Sequence, residues 1–121
     1  MMWVIVNVIG NDVVLHFNLN YEVMGITKQY LKSKPICKVT FSVSAKDAKS
    51  VSVVGDFNTW SPKGNALKKL KNGTFKGTID LPIDNTYEFK YLIDGNFVNE
   101  ADADRFQWND YAGAENSVLE V

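Results

Sequence analysis

In the segment Tyr87-Glu88-Phe89-Lys90-Tyr91-Leu92-Ile93-Asp94-Gly95-Asn96-Phe97, a lysine and a phenylalanine flank an Asp-Gly pair. A two-residue turn at Asp94-Gly95 pairs Ile93 with Asn96 and Leu92 with Phe97. Opposed side chains share a face, so Leu92 and Phe97 lie together with Lys90 diagonal to them. The other face takes Tyr87, Phe89, Tyr91, Ile93 and Val98, a far better core set. A phenyl ring beside an ammonium on an outward face suits a polyhydroxylated ring. The aromatic stacks on the ligand's apolar C–H face, and the lysine donates hydrogen bonds to its hydroxyls.

Three further residues could join that surface. Trp60 follows a turn-rich segment and precedes Ser61-Pro62, which puts it on a loop. Such a tryptophan either caps a hydrophobic core or offers a broad contact face at little entropic cost. Trp108, in the polar run Gln107-Trp108-Asn109-Asp110-Tyr111, either extends the platform or packs over an edge. Asn116 presents its amide to a ligand or satisfies backbone groups in the turn before the final strand. Phe97 has a second reading too, as a brace for a cross-strand neighbour, and Lys90 alone is a solvated lysine. Phe57 reads as core.

Other chemistries fail on the residues they need. His16 is the single histidine and sits in the N-terminal region, so the rest of the sequence cannot assemble a Ser-His-Asp or Cys-His constellation. One cysteine, Cys37, permits neither an internal disulfide nor zinc-type spacing; it sits at a strand start and is expected to be buried and inert. Carboxylates are plentiful, but glycoside hydrolysis needs two of them facing each other across a deep cleft. Glu100, Asp102 and Asp104 have the alternate spacing of a calcium loop. Arg105 replaces the glycine that an EF-hand requires, and Tyr111 replaces its distal glutamate. The sequence therefore reads as a protein that is not an enzyme, with no metal and no cofactor.

The elements that position these residues are written in period two. Val39, Phe41 and Val43 alternate with Lys38, Thr40 and Ser42, as in a strand buried on one face. Phe75, Gly77, Ile79 and Leu81 repeat the pattern, and residues 50–54 and 117–121 are short β-rich runs. Asn72-Gly73 and Asp94-Gly95 are both two-residue hairpin signals. Residues 100–107 have room for one helical turn and no more. Short strands at even spacing between tight turns predict an all-β sandwich of about seven to nine strands.

A chain of 121 residues is long enough for one domain with a genuine core. A formal net charge of −1 gives no reason to expect nucleic acid or an acidic membrane as partner. Residues 27–76 carry eleven lysines and residues 77–121 carry ten acids, which in a sandwich interleave as solvated strands of mixed sign. The apolar N-terminus, Met1 to Ile9, lacks a basic n-region and is broken by Asn7, Gly10, Asn11 and Asp12. It makes a poor signal peptide and is too short for a membrane span, so a cytoplasmic location is expected. Residues 1–26 read as an N-terminal extension, either an added β-hairpin or part of a reading frame whose natural start is Met24; residues 27–121 form the sandwich domain.

The runs Gly55-Asp56-Phe57-Asn58-Thr59-Trp60, Tyr87 to Phe97, and Gly113-Ala114-Glu115-Asn116-Ser117-Val118-Leu119-Glu120-Val121 stand in the order found in one known family. Over about residues 28–121 the chain resembles carbohydrate-binding module family 48. This is the isoamylase N-terminal "early set" domain, which also occurs as the glycogen-binding domain of the AMP-activated protein kinase β subunit. The resemblance implies an immunoglobulin-like sandwich and a non-catalytic module for α-glucan, whether glycogen, starch or maltodextrin. The family's catalytic cleft belongs to a separate barrel. In the kinase-subunit version two tryptophans, a lysine and a C-terminal stretch with an asparagine hold the sugar. Trp60 falls on the first tryptophan, Lys90 on the lysine and Asn116 on the asparagine, while Phe97 replaces the second tryptophan. Ala112 and Ala114 replace a larger apolar residue and a hydroxyl, which predicts a weaker or altered glucan site. The alternative is a protein-interaction module that docks on an amylolytic enzyme of the family 13 glycoside hydrolase type, with sugar binding weak or lost.

Overall fold

The computed structural model describes residues 23–121, and the N-terminal hairpin expected before them lies outside the described residues. Among these residues ten strands form two antiparallel sheets with no α-helix. The first sheet contains β1 (Val23–Tyr30), β2 (Ile36–Ser44), β6 (Thr74–Pro82) and β5 (Lys68–Lys69), in that order. The second runs β4 (Asn65–Ala66), β3 (Val51–Gly55), β7 (Thr86–Ile93), β10 (Ala114–Glu120) and β9 (Arg105–Asn109). A short strand, β8 (Asn96–Val98), pairs with the end of β7. Because β3 occupies the opposite edge of β7, β8 and β10 follow one another along the same edge. The count of ten includes two strands of two residues each, so the expected β-sandwich is present.

Alternation decides which side chains meet between the sheets. Cys37, Val39, Phe41 and Val43 of β2 are buried, opposite Phe89, Tyr91 and Ile93 of β7 and Val51 and Val53 of β3. Phe41 sits at the centre, with its ring edge-on to Phe89 at 5.5 Å and to Tyr91 at 6.3 Å. Edge-to-face rings match the quadrupoles of the two partners. Burying each such side chain contributes roughly 1.5–3 kcal/mol. Phe57 joins this cluster, 6.2 Å from Phe41 and 6.0 Å from Tyr87, which agrees with its reading as core.

The two hairpin signals behave differently. Asp94 and Gly95 both take positive φ, 49° and 87°, as a two-residue type I′ turn requires, and Leu92 faces Phe97 across it. At Asn72-Gly73 the expected two-residue turn is not formed. Leu70 closes on Thr74 through an N–H···O bond of 2.7 Å, leaving a three-residue loop in which Gly73 alone has positive φ. Asn72 stabilises this loop with its side chain, whose Oδ1 accepts the Thr74 N–H at 3.0 Å. A turn followed by a left-handed glycine is the next most common hairpin closure.

Candidate functional site

The Gly55–Trp60 segment owes its shape to close approach. At Gly55 the end of β3 runs so near β7 that a Cβ would lie 2.5 Å from the Glu88 carbonyl oxygen and 2.7 Å from Phe89 Cβ. Glycine is therefore required there. The chain then makes one 3-10 turn, Asp56–Asn58. Asn58 locks it by accepting the Gly55 N–H at 3.0 Å and donating to the Val53 carbonyl at 2.9 Å and to Asn65 Oδ1 at 2.7 Å.

Thr59 and Trp60 follow in the left-handed region, with φ of 53° and 56°. Each such residue costs on the order of 1–3 kcal/mol, so the position must be held from outside. Trp60 N–H donates to the Gly55 carbonyl at 2.9 Å. Its indole Nε1 donates to Asp56 Oδ1 at 3.0 Å, while Asp56 Oδ2 accepts the Glu88 N–H of β7 at 2.8 Å. One carboxylate thus ties the indole to the sheet. With its N–H engaged, the half-buried Trp60 leaves only apolar ring surface to the groove it lines.

The β7–β8 hairpin and β10 supply the remaining groups. Phe97 stands on the outward face of β8 and is 62% exposed. Lys90 shares that outward face of β7, and among the described residues its ammonium makes no hydrogen bond or ion pair. The pairing of Ser117 with Phe89 puts Asn116 next to Lys90 on the same side. Asn116 lies within β10, not in the turn before it, and its Nδ2 donates to the Glu88 carboxylate at 3.0 Å.

These side chains converge. Trp60, Lys90, Phe97 and Asn116 line one open groove of about 380 Å³, together with Asn109, Tyr111 and Ala112. The exposed lining is mainly apolar. Trp108 is not brought to it. Its pairing with Glu115 turns it to the face of β9 opposite Asn116, where it is 54% exposed and donates to Asp110 Oδ1 at 2.7 Å. Tyr111 is the groove residue that period-two reading overlooks, because it stands in a turn outside the alternation. The signal was Asn109, whose Oδ1 accepts the N–H groups of Tyr111 and Ala112 at 2.9 and 3.2 Å.

A buried polar network sits beneath the groove. Glu100, the first residue of the calcium-like spacing, points into the interior and accepts the Tyr91 hydroxyl and, at 2.9 Å, the Asp102 N–H. The Glu100 N–H donates to Ser117 Oγ at 2.8 Å, and Ser117 donates to Asn99 Oδ1 at 2.8 Å. Asn99 completes the connection by donating to the Glu115 carbonyl at 2.9 Å. The chain after Phe97 is thereby fastened to the strand that carries Asn116. Burial pushes the Glu100 carboxyl above its usual range, against the lowering effect of its hydrogen bonds from Tyr91 and Asp102. Asp104 is engaged elsewhere, with Lys28 at 2.7 Å and the Glu120 N–H at 2.7 Å.

A β-sandwich with aromatic, ammonium and amide groups gathered in an open groove on one sheet has the form of a carbohydrate-binding module. The chain belongs to carbohydrate-binding module family 48, the isoamylase N-terminal domain family, whose model matches residues 23–112. Asn116 lies just beyond that stretch. Two curated relatives are each described as a 1,4-alpha-glucan branching enzyme, one from Synechococcus elongatus and one from Synechococcus sp.. Each is 29% identical over 89 residues, covering 72% of this chain and 11% of the relative. The chain thus spans about a ninth of the length of the curated relatives it matches. Among the described residues no helix is long and apolar enough to cross a membrane.

Proposed function

We propose that this chain is a non-catalytic module that binds α-glucan, such as glycogen, starch or maltodextrin, in the Trp60 groove. The observation that carries the reading is the convergence of Trp60, Phe97, Lys90 and Asn116 on one cavity. The rings stack on glucose C–H faces, the Lys90 ammonium donates to hydroxyls, and the Asn116 amide fixes orientation. The description of the relatives as α-glucan branching enzymes supports the choice of sugar. The single thiol supports a reducing, cytoplasmic setting.

Two aromatic stacks and a few hydrogen bonds that compete with water give a dissociation constant of about 0.1–1 mM, or roughly −4 to −5.5 kcal/mol. Firm attachment then comes from the repeated sites of a polymer. The test is migration in a native gel cast with glycogen. Wild type is retarded, and Trp60→Ala runs at its glycogen-free position while remaining folded. A wild type unaffected by glycogen overturns the proposal.

A second reading, docking on an amylolytic enzyme, is favoured by a surface outside the groove. Phe106 and Trp108 project from the same face of the edge strand β9, 42% and 54% exposed. Neighbouring exposed aromatics on an outer strand form an apolar patch of the kind that protein partners cover. Co-purification with such an enzyme, without glucan retardation, would favour this reading over the first.

A further inference from the structure

We infer that Tyr111 is a third stacking platform, which makes the groove select for extended glucan chains over short sugars; this rests on the α-glucan reading above. Tyr111 is 101% exposed, so its ring packs against nothing among the described residues. A side chain with no internal contacts normally sits on a loose loop, but this backbone is fixed. Asn109 Oδ1 holds the N–H groups of Tyr111 and Ala112, and the Gly113 N–H donates to the Asn109 carbonyl at 2.9 Å. A rigid turn therefore holds an unengaged ring at the lip of a groove that already contains two aromatics.

The topology gives the groove its direction. Trp60 enters from the loop after β3, Lys90 from β7, Asn116 from β10 and Tyr111 from the turn between β9 and β10. From β3 to the turn between β9 and β10 is two to three strand steps, about 9–14 Å at the usual interstrand spacing. That distance exceeds one pyranose ring. A ligand that touches both Trp60 and Tyr111 must lie across the strands as a chain. Ala112, beside Tyr111 in the groove wall, offers only a methyl group, and the tyrosine ring adds the larger apolar face there.

The test is a pair of NMR titrations, with maltose and with maltoheptaose, on wild type, Tyr111→Ala, Tyr111→Phe and Trp60→Ala. Tyr111→Ala is expected to weaken maltoheptaose about tenfold and to leave maltose within about twofold, because the short sugar does not reach the turn. Tyr111→Phe, which keeps the ring, should stay close to wild type. Trp60→Ala should weaken both sugars. If wild type binds maltoheptaose and Tyr111→Ala binds it equally well, the third platform is refuted while the glucan site stands. If wild type binds neither sugar, the α-glucan reading fails and takes the platform with it.

Discussion

The Asp56 carboxylate bridges the Trp60 indole and the backbone of β7, with one oxygen 3.0 Å from Nε1 and the other 2.8 Å from the Glu88 nitrogen. The groove-lining ring is therefore positioned by a residue that does not itself line the groove. Removing Asp56 frees the indole of a residue held at unfavourable φ and leaves the Glu88 N–H of β7 without its partner. Asp56→Ala is expected to lower stability by about 1–3 kcal/mol in urea denaturation and to weaken maltoheptaose binding roughly fivefold or more. Asp56→Asn keeps one acceptor and should fall between the two. An Asp56→Ala protein with wild-type affinity would show that Trp60 orients itself.

Phe97 presents a smaller stacking face than tryptophan would, at a position that is 62% exposed. With so much open surface the larger ring costs no repacking. Phe97→Trp is expected to tighten glucan binding about threefold, and Lys90→Ala to weaken it about fivefold, with the midpoint of thermal unfolding little changed in both. Calorimetric titration with maltoheptaose gives both values.

Two carboxyls contribute to the pH dependence of stability in opposite directions. Asp94 Oδ1 accepts the N–H groups of Ser50 and Lys49, both at 2.9 Å, which hold its carboxyl below the usual range. A lowered folded value means stability that is present above the ordinary carboxylate range and lost as pH falls through the folded value. Glu100 is raised by burial, so its contribution is present below the ordinary range and lost as pH rises through its folded value. Urea midpoints measured across a pH series should show both slopes. Asp94→Asn, which keeps the accepting oxygen, should flatten the acid side, and Glu100→Gln should flatten the side above the carboxylate range.

The network under the groove gives a separate stability prediction. Tyr91→Phe removes the hydroxyl that Glu100 accepts and leaves a buried carboxyl one donor short. The cost is expected to be about 1–3 kcal/mol in denaturant unfolding. Because Glu100 also fastens the segment after Phe97 to β10, line broadening of the Phe97 and Asn99 amides should accompany the loss.

Much of this site was legible in the residues. The Asp94-Gly95 turn fixed the register that places Lys90 and Phe97 on one face, because type I′ chemistry admits few residues. The family resemblance carried by the Gly55–Trp60 run and the Gly113–Val121 ending pointed to Trp60 and Asn116. The rest depended on facts that sequence periodicity does not carry. Trp108 and Tyr111 stand three residues apart in one polar run, and only the pairing of β9 with β10 tells which of them faces the groove. Asn72-Gly73 gives the same dipeptide signal as a two-residue turn, yet the Asn72 side chain captures Thr74 and lengthens the loop. Glu100 showed only the alternate spacing of a calcium loop, and nothing local announces that Tyr91, nine residues earlier, will meet it in the interior.

On the proposed reading, glucan occupies the groove between the Trp60 loop and the turn before β10. The most direct measurement is a ¹H–¹⁵N correlation titration with maltoheptaose, including the tryptophan indole resonances. Saturable shifts are expected at Trp60, Lys90, Phe97, Asn116 and Tyr111, with the outer residues of β1, β2 and β6 unmoved. Shifts centred on that other sheet, or on Phe106 and Trp108 instead, would contradict this reading.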